Sequence, residues 1–261
     1  MLSPHHFHRV FQAIVGETPA EFVKRLRLDK ALRTMAFEKP TSLSQVAVTC
    51  GFASSADFSR SFKQRFGVSP SAFDVVAWRA SHAEKLEAGL PLGGRIAELP
   101  AFEDPQAFQV EIRDLAARSA AYIRVTRPYE GDRVFQAAQR LIAWAEKRGL
   151  ADGQWLGYQW DNPELTNLEQ CIYYIAVEAG EFDPYGEVGH YRFPPMRVAQ
   201  IEIRGGVELE LRALQWLYGS WLPRSGYLPD DQPGFEAFIG RPFAHGGEYF
   251  ELYVQLPIRK P

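Results

Sequence analysis

The first eighty residues repeat themselves, and that repeat limits the fold more than any other feature of the chain. Laid on residues 54–73 at an offset of 51, residues 3–22 are identical at seven of twenty positions. The pairs are Ser3/Ser54, Phe7/Phe58, Arg9/Arg60, Phe11/Phe62, Gly16/Gly67, Pro19/Pro70 and Phe22/Phe73, with Thr18/Ser69 a conservative match. Two copies of one local unit should fold alike. In the second copy Ser54 is placed to cap a helix on which Phe58, Phe62 and Phe66 recur at i, i+4 and i+8, one apolar stripe. Gly67 ends that helix, and Ser69-Pro70 opens another, with Pro in the first turn where its missing N–H costs nothing. The first copy does the same with Gly16 and Thr18-Pro19, and Glu21 completes a capping box with Thr18. A long helix is predicted over 19–35, with Phe22, Leu26, Ala31, Leu32 and Met35 inward.

Upstream of the second copy, residues 42–49 form a short helix with Leu43, Val46 and Ala47 on one side, and Cys50-Gly51-Phe52 makes a tight turn. Two short helices joined by a Gly-containing turn are a helix-turn-helix. With the phenylalanines inward, the outer face of the second helix carries Ala56, Asp57, Arg60, Lys63 and Gln64, with Ser59 on the flank. The first copy presents His5, His6, Arg9 and Gln12, with His8 on the flank. Arg reads guanine or grips phosphate, and Ser and Gln reach base edges or backbone. A merely solvated helix face looks similar, but matching Arg9 and Arg60 in paired copies favour DNA. His5 and His8, at i and i+3, are a usable pair of metal ligands. No nearby Cys, Asp or Glu completes a site, so no metal is expected. Charge points the same way as the helices: residues 1–85 carry twelve Lys/Arg against seven Asp/Glu, and the rest seventeen against twenty-five. A basic segment joined to an acidic remainder fits a nucleic-acid-binding unit attached to something else.

Residues 1–80 resemble the C-terminal DNA-binding domain of AraC/XylS-type transcription regulators, carried by SLSQVAVTCG and FSRSFKQRFGVSPSAF. The resemblance implies two recognition helices in successive major grooves of promoter DNA. His5, His8, Arg9, Gln12, Ala56, Ser59, Arg60 and Lys63 would be the DNA-binding residues, and RNA polymerase a further partner. Met1 aligns with Phe52, so the first copy has no counterpart of residues 41–51. The expectation is a start codon placed too late or a trimmed chain, with the preceding helices encoded upstream.

The 261 residues suffice for two domains, and 46% hydrophobic with 23% charged residues excludes a disordered or collagen-like chain. Cys50 and Cys171 show no CxxC spacing, which excludes a disulfide framework and a zinc knuckle and fits the cytoplasm. No apolar run approaches the roughly 20 residues of a membrane span, and no secretory signal opens the chain. Residues 88–105, with three Pro and three Gly, read as linker. The expected organisation is therefore 1–85 DNA-binding, 86–107 linker and 108–261 a second domain. There, strands are predicted at 121–125, 173–177, 199–203 and 249–254, and helices at 133–148 and 209–221. Ala121/Ala199, Ile123/Ile201 and Val125/Ile203 match at an offset of 78. The fold class is α+β multidomain: an all-α double helix-turn-helix, then an α+β domain of two related strand-helix-strand halves around a shared groove. On the last strand Tyr249, Glu251 and Tyr253 share one face and Phe250, Leu252 and Val254 the other. A carboxylate between two tyrosines suits an aromatic cation cleft, although an exposed edge strand has the same pattern.

Residues 108–260 resemble the GyrI-like small-molecule-binding domains, carried by VEIRDLAARSAAYIRVTRPYEG, LIAWAEKRGL, LGYQWDNPE, WLPRSGYLPDDQPGFE and YFELYVQLP. The resemblance implies a hydrophobic or cationic aromatic ligand held between two halves, with a buried Glu on the final strand as countercharge. That Glu maps onto Glu251, flanked by Tyr249 and Tyr253, with Tyr129, Tyr173 and Trp216 as further walls. The expected function is a ligand-responsive transcription regulator with no cofactor and no enzymatic activity. The alternatives are a GyrI-like hydrolase using Glu251 as general base and a drug-sequestering protein; no GxSxG, HExxH, P-loop or dinucleotide motif is present. Because the first copy lacks its supporting helix, amide hydrogens of residues 3–14 are expected to exchange faster than those of 54–66, measurable by mass spectrometry; equal protection would contradict this.

Overall fold

The computed structural model describes residues 3–15, 17–37, 42–78, 80–81, 108–161, 166 and 168–261. The expected linker, 86–107, lies outside the described residues. Two compact units result, Met1–Ala80 and Ser81–Pro261.

The first unit is helical: α1 (Pro4–Val15), α2 (Pro19–Phe37), α3 (Leu43–Thr49) and α4 (Ser55–Phe66), then a 3₁₀ turn at Pro70–Ala72. Side-chain caps set the boundaries. Ser42 Oγ accepts from the Gln45 amide at 3.2 Å and Ser54 Oγ from the Asp57 amide at 3.1 Å, each satisfying an otherwise orphaned N–H. Thr18 and Glu21 form the reciprocal box at the start of α2. Gly51, φ 77°, makes the turn between α3 and α4, and Gly67, φ 81°, closes α4; both sit in left-handed space that a Cβ disfavours. Val46, Ala47, Phe52, Phe58 and Phe62 are buried between the helices. Phe58, Phe62 and Phe73 meet in edge-to-face pairs at 5.5 and 5.1 Å. An ion pair ties the long helix to α4: Arg65 reaches Asp29, which Arg25 of the same helix also approaches. Burial pushes the Asp29 carboxyl up against the pull of those two guanidiniums. In the first copy Phe11 meets Phe22 edge-on, while Phe7 is 46% exposed where its counterpart Phe58 is fully buried.

The second unit is one antiparallel sheet with helices on one face. Its elements are β1 (Glu111–Leu115), β2 (Arg118–Thr126), α5 (Arg133–Glu146), β3 (Trp155–Gln159), β4 (Ile172–Glu178), β5 (Val188–Phe193), β6 (Met196–Gly205), α6 (Val207–Trp216), β7 (Leu228–Pro229), β8 (Gly234–Phe238) and β9 (Phe250–Arg259). The strand order is β1-β6-β9-β8-β3-β4-β2-β5, with β7 beside β9. Reading outward from the β8–β3 junction gives β8-β9-β6 one way and β3-β4-β2 the other. β2 leads into α5 and β6 into α6, so the two halves are related about the junction, as the Ala121/Ala199 match implies. The helix-side core holds Ile123, Leu141, Trp155, Ile175, Ile201, Ala213, Leu217, Leu252 and Val254. The opposite face holds Leu156, Tyr158, Phe193, Val198 and Phe235. Phe250, Leu252 and Val254 of β9 do face the helices, as alternation requires.

After α6 the chain continues as a wide turn at Leu217–Trp221 and a one-turn helix at Leu222–Ser225, closed by Gly226 at φ 74°. The Tyr227 amide donates to Ser225 Oγ at 3.1 Å, and Trp221 stacks on Tyr227 at 6.3 Å. The WLPRSGY run is thus a local helix terminator. In the helix-turn-helix, Phe62→Ala should cost about 3–5 kcal/mol and Ser54→Ala about 1 kcal/mol. Both would appear as faster exchange of α4 amides in the full chain, the alanine at 62 far more than that at 54.

Candidate functional site

Two sets of side chains stand out. On α4, Ala56, Arg60, Lys63 and Gln64 are exposed and Ser59 half-buried, while Phe58, Ser61 and Phe62 point inward. The expected face is therefore turned to solvent, with two cations on one helix of a helix-turn-helix. On α1, His8, Arg9 and Gln12 are exposed; the side chain of His5 lies outside the described residues.

The second set sits on the seam of the sheet domain. Gly157 of β3 lies directly opposite Glu236 of β8 in the ladder joining the two halves. A Cβ at Gly157 would fall onto the Tyr173 hydroxyl and the Glu236 carboxylate. Glycine is required so that these two groups can meet over the strand. Tyr173, from β4, donates its hydroxyl to Glu236 Oε2. Glu210, one turn before the buried Ala213 on α6, brings a second carboxyl within electrostatic reach of Glu236. Tyr129, in the connection from β2 to α5, donates to Gln159 Oε1 at 3.1 Å and lies within electrostatic reach of both carboxylates.

Burial pushes the Glu210 carboxyl well above the usual range, and the neighbouring Glu236 charge adds to it. Burial also raises Glu236, opposed by the hydrogen bond from Tyr173. The phenols of Tyr173 and Tyr129 are driven up, chiefly by burial. No lysine, arginine or histidine among the described residues pairs with either carboxylate. Neither glutamate is sealed, as each keeps part of its surface open to solvent. The result is an enclosed acidic site walled by tyrosines and without its own cation.

The structure brings Tyr129 and Tyr173 together here, but not the other expected ligand residues. Glu251 is corrected: it lies on the opposite face of β9, where Arg204 donates to it at 2.9 Å and His245 lies 3.7 Å away. A carboxylate already paired at the surface is not a buried countercharge. Tyr249 is exposed and edge-on to His245, and Tyr253 donates to Glu202 at 3.3 Å. Trp216 packs on Phe108 at 5.7 Å as part of the core. The carboxylates missed from the sequence are Glu236 and Glu210. Their signals were an acid inside the apolar stretch GFEAF and an acid at i−3 and i−7 from the inward Ala213 and Leu217.

A helix-turn-helix with a basic outer helix, in one chain with a sheet domain that gathers carboxyl and tyrosine side chains at its seam, defines a DNA-binding regulator of the ligand-binding class. The chain belongs to the GyrI-like small molecule binding domain family, which it matches over residues 108–259, and residues 1–74 match a helix-turn-helix domain. Among its relatives is a DNA gyrase inhibitor of Edwardsiella piscicida, 30% identical over 161 residues, which cover 58% of this chain and 99% of that protein. The probable transcriptional regulator LumQ of Photobacterium leiognathi is 40% identical over 72 residues, 28% of this chain and 29% of that one. The chain thus spans under a third of that regulator's length. The EcmrR C-terminal domain is a solved structure similar over 59% of this chain and 99% of its own, at 14% identity and a TM-score of 0.44.

A carboxyl whose pKa is raised on folding holds a proton that the unfolded chain has lost, so the folded state weakens as pH rises above the unfolded value. Glu210→Gln removes that penalty. It should raise the thermal midpoint of the sheet domain at pH 8 and do so less at pH 4.5, followed by tryptophan fluorescence.

Proposed function

We propose that this chain is a transcription regulator of the cytoplasm. Residues 1–85 bind promoter DNA through α4 and α1, and residues 108–261, tethered by 86–107, bind a hydrophobic aromatic cation at Glu236. The observation that carries the ligand half is an enclosed carboxylate with a tyrosine donor and no protein cation. Such a charge is costly to leave unpaired, and an aromatic cation supplies both the charge and the apolar surface that the tyrosines receive. Ligand binding alters DNA occupancy to the extent that affinity differs between the DNA-competent and incompetent states. Promoter DNA and the ligand are then the direct partners, with RNA polymerase recruited or blocked at the promoter.

A second reading rests on the same pair: one protonated and one ionised carboxyl form an acid–base couple. That couple would replace Glu251 in a hydrolase. Turnover of a reactive electrophile that stops in Glu236→Gln would favour it.

The regulator reading is tested by fluorescence anisotropy on labelled DNA from upstream of the gene, at two salt concentrations, with and without rhodamine 6G. Binding should fall steeply with salt as phosphate contacts release counterions. Arg60→Ala should weaken it by about 1–3 kcal/mol. Glu236→Gln should weaken the dye about tenfold or more, as expected for removing a buried charge partner, while Glu251→Gln should not. A flat salt response, or equal effects of the two glutamate variants, would sink the corresponding half.

A further inference from the structure

Two arginines of α2 stand two positions apart and are used differently. Arg25 turns inward and is 9% exposed, with Nη2 2.9 Å from Glu17 and Nη1 3.5 Å from Asp29. Arg27 turns outward, and its guanidinium lies over the turn between α3 and α4. A Cβ placed on Gly51 would meet Arg27 Nε at 3.4 Å, Cζ at 3.8 Å and Nη2 at 3.9 Å. Among the described residues Arg27 makes no hydrogen bond and no ion pair. Carboxylates nearby on the helices are committed elsewhere: Glu17 and Asp29 to Arg25 and Arg65, and Glu21 to the Thr18 hydroxyl.

The place where Arg27 lies matters as much as its freedom. Gly51 is the left-handed residue of the turn that leads into α4, and the exposed face of α4 begins just beyond it with Ala56, followed by Arg60, Lys63 and Gln64. In a helix-turn-helix the N-terminal residues of the second helix reach base edges, while the first helix crosses the sugar-phosphate backbone. The turn between them therefore stands beside that backbone. A guanidinium presents a flat fork of N–H donors that fits two phosphate oxygens. The carbonyl end of α3 attracts a cation too, but Arg27 donates to none of those carbonyls, so its donors remain available.

We propose that Arg27 holds a DNA phosphate at the α3–α4 turn and so fixes the register of α4 in the major groove without reading sequence. Its contribution is counterion release, which is the same for any duplex, whereas Arg60 discriminates among sequences. The inference rests on DNA binding through α4.

The full chain is titrated by fluorescence anisotropy over a series of salt concentrations against two labelled duplexes of equal length and composition, one from upstream of the gene and one scrambled. Arg27→Gln keeps a side chain over Gly51 and drops the charge. It should make the slope of log affinity against log salt shallower by about one, the release from a single phosphate, and weaken both duplexes by the same factor. Arg27→Lys should restore the slope. Lys24→Ala removes a like charge one turn earlier on α2, beside Glu21, and should leave the slope as it is in the unaltered chain. Arg60→Ala should narrow the difference between the two duplexes. Amide exchange of α4 in Arg27→Gln should match that of the unaltered chain, since only a structural role would quicken it. An unchanged slope, an equal slope change in Lys24→Ala, an altered preference between duplexes in Arg27→Gln, or faster α4 exchange overturns the phosphate contact and leaves DNA binding by α4 in place. Failure of the unaltered chain to bind either duplex overturns both.

Discussion

The sheet domain depends on the pairing of β3 with β8, because that ladder is where its two halves become one. At its centre Gly157 faces Glu236, and the missing Cβ lets the Tyr173 hydroxyl reach the carboxylate across the strand. Any side chain there would force the tyrosine and the glutamate apart. One glycine thus joins the halves and makes room for the polar cluster. The helices close over it: α6 delivers Glu210, and the connection leading to α5 delivers Tyr129. One half contributes both carboxylates and the other both tyrosines, so the site exists only when the two are assembled.

The helix-turn-helix works by the opposite logic. Its caps, its two left-handed glycines and its phenylalanine stripe are all local, and Arg60 and Lys63 face outward because Phe58 and Phe62 face inward. DNA recognition requires only that this helix be rigid and basic on its free side. Its internal charges pair within the scaffold, Arg25 with Glu17 and Asp29, and Arg65 with Asp29. That leaves the recognition face chemically separate from the scaffold.

Alternating residues located the faces of β9 correctly, with Leu252 and Val254 toward the helices. The same alternation misled the search for the countercharge. Glu251 between Tyr249 and Tyr253 has the composition of a cation cleft, but it lies on the face away from the helices, and Arg204 of the neighbouring strand neutralises it. Nothing in the spacing of residues 249–254 tells which strand will lie alongside. Glu236 escaped because β8 is five residues long, and Pro233 before it with Gly234 at its start resembles a loop. Tyr173, expected as a pocket wall, stands on a strand that was recognised, and its hydrogen-bond partner Glu236 came with the fold.

What the sequence determined by itself is everything of short range: the repeated helical unit, its caps and turns, the outward set on α4, and the membership of the chain in the GyrI-like family over residues 108–259. These follow from periodicities of 3.6 and 2 residues and from residues that fix one backbone conformation. What only the tertiary structure decided is which carboxylates come together. Glu210 and Glu236 lie 26 positions apart, Tyr173 a further 37 before Glu210, and Gly157 earlier still. They converge because β3 and β8 pair across the seam, and a carboxylate's charge state depends on that convergence, on desolvation and on donors in reach, rather than on its neighbours along the chain.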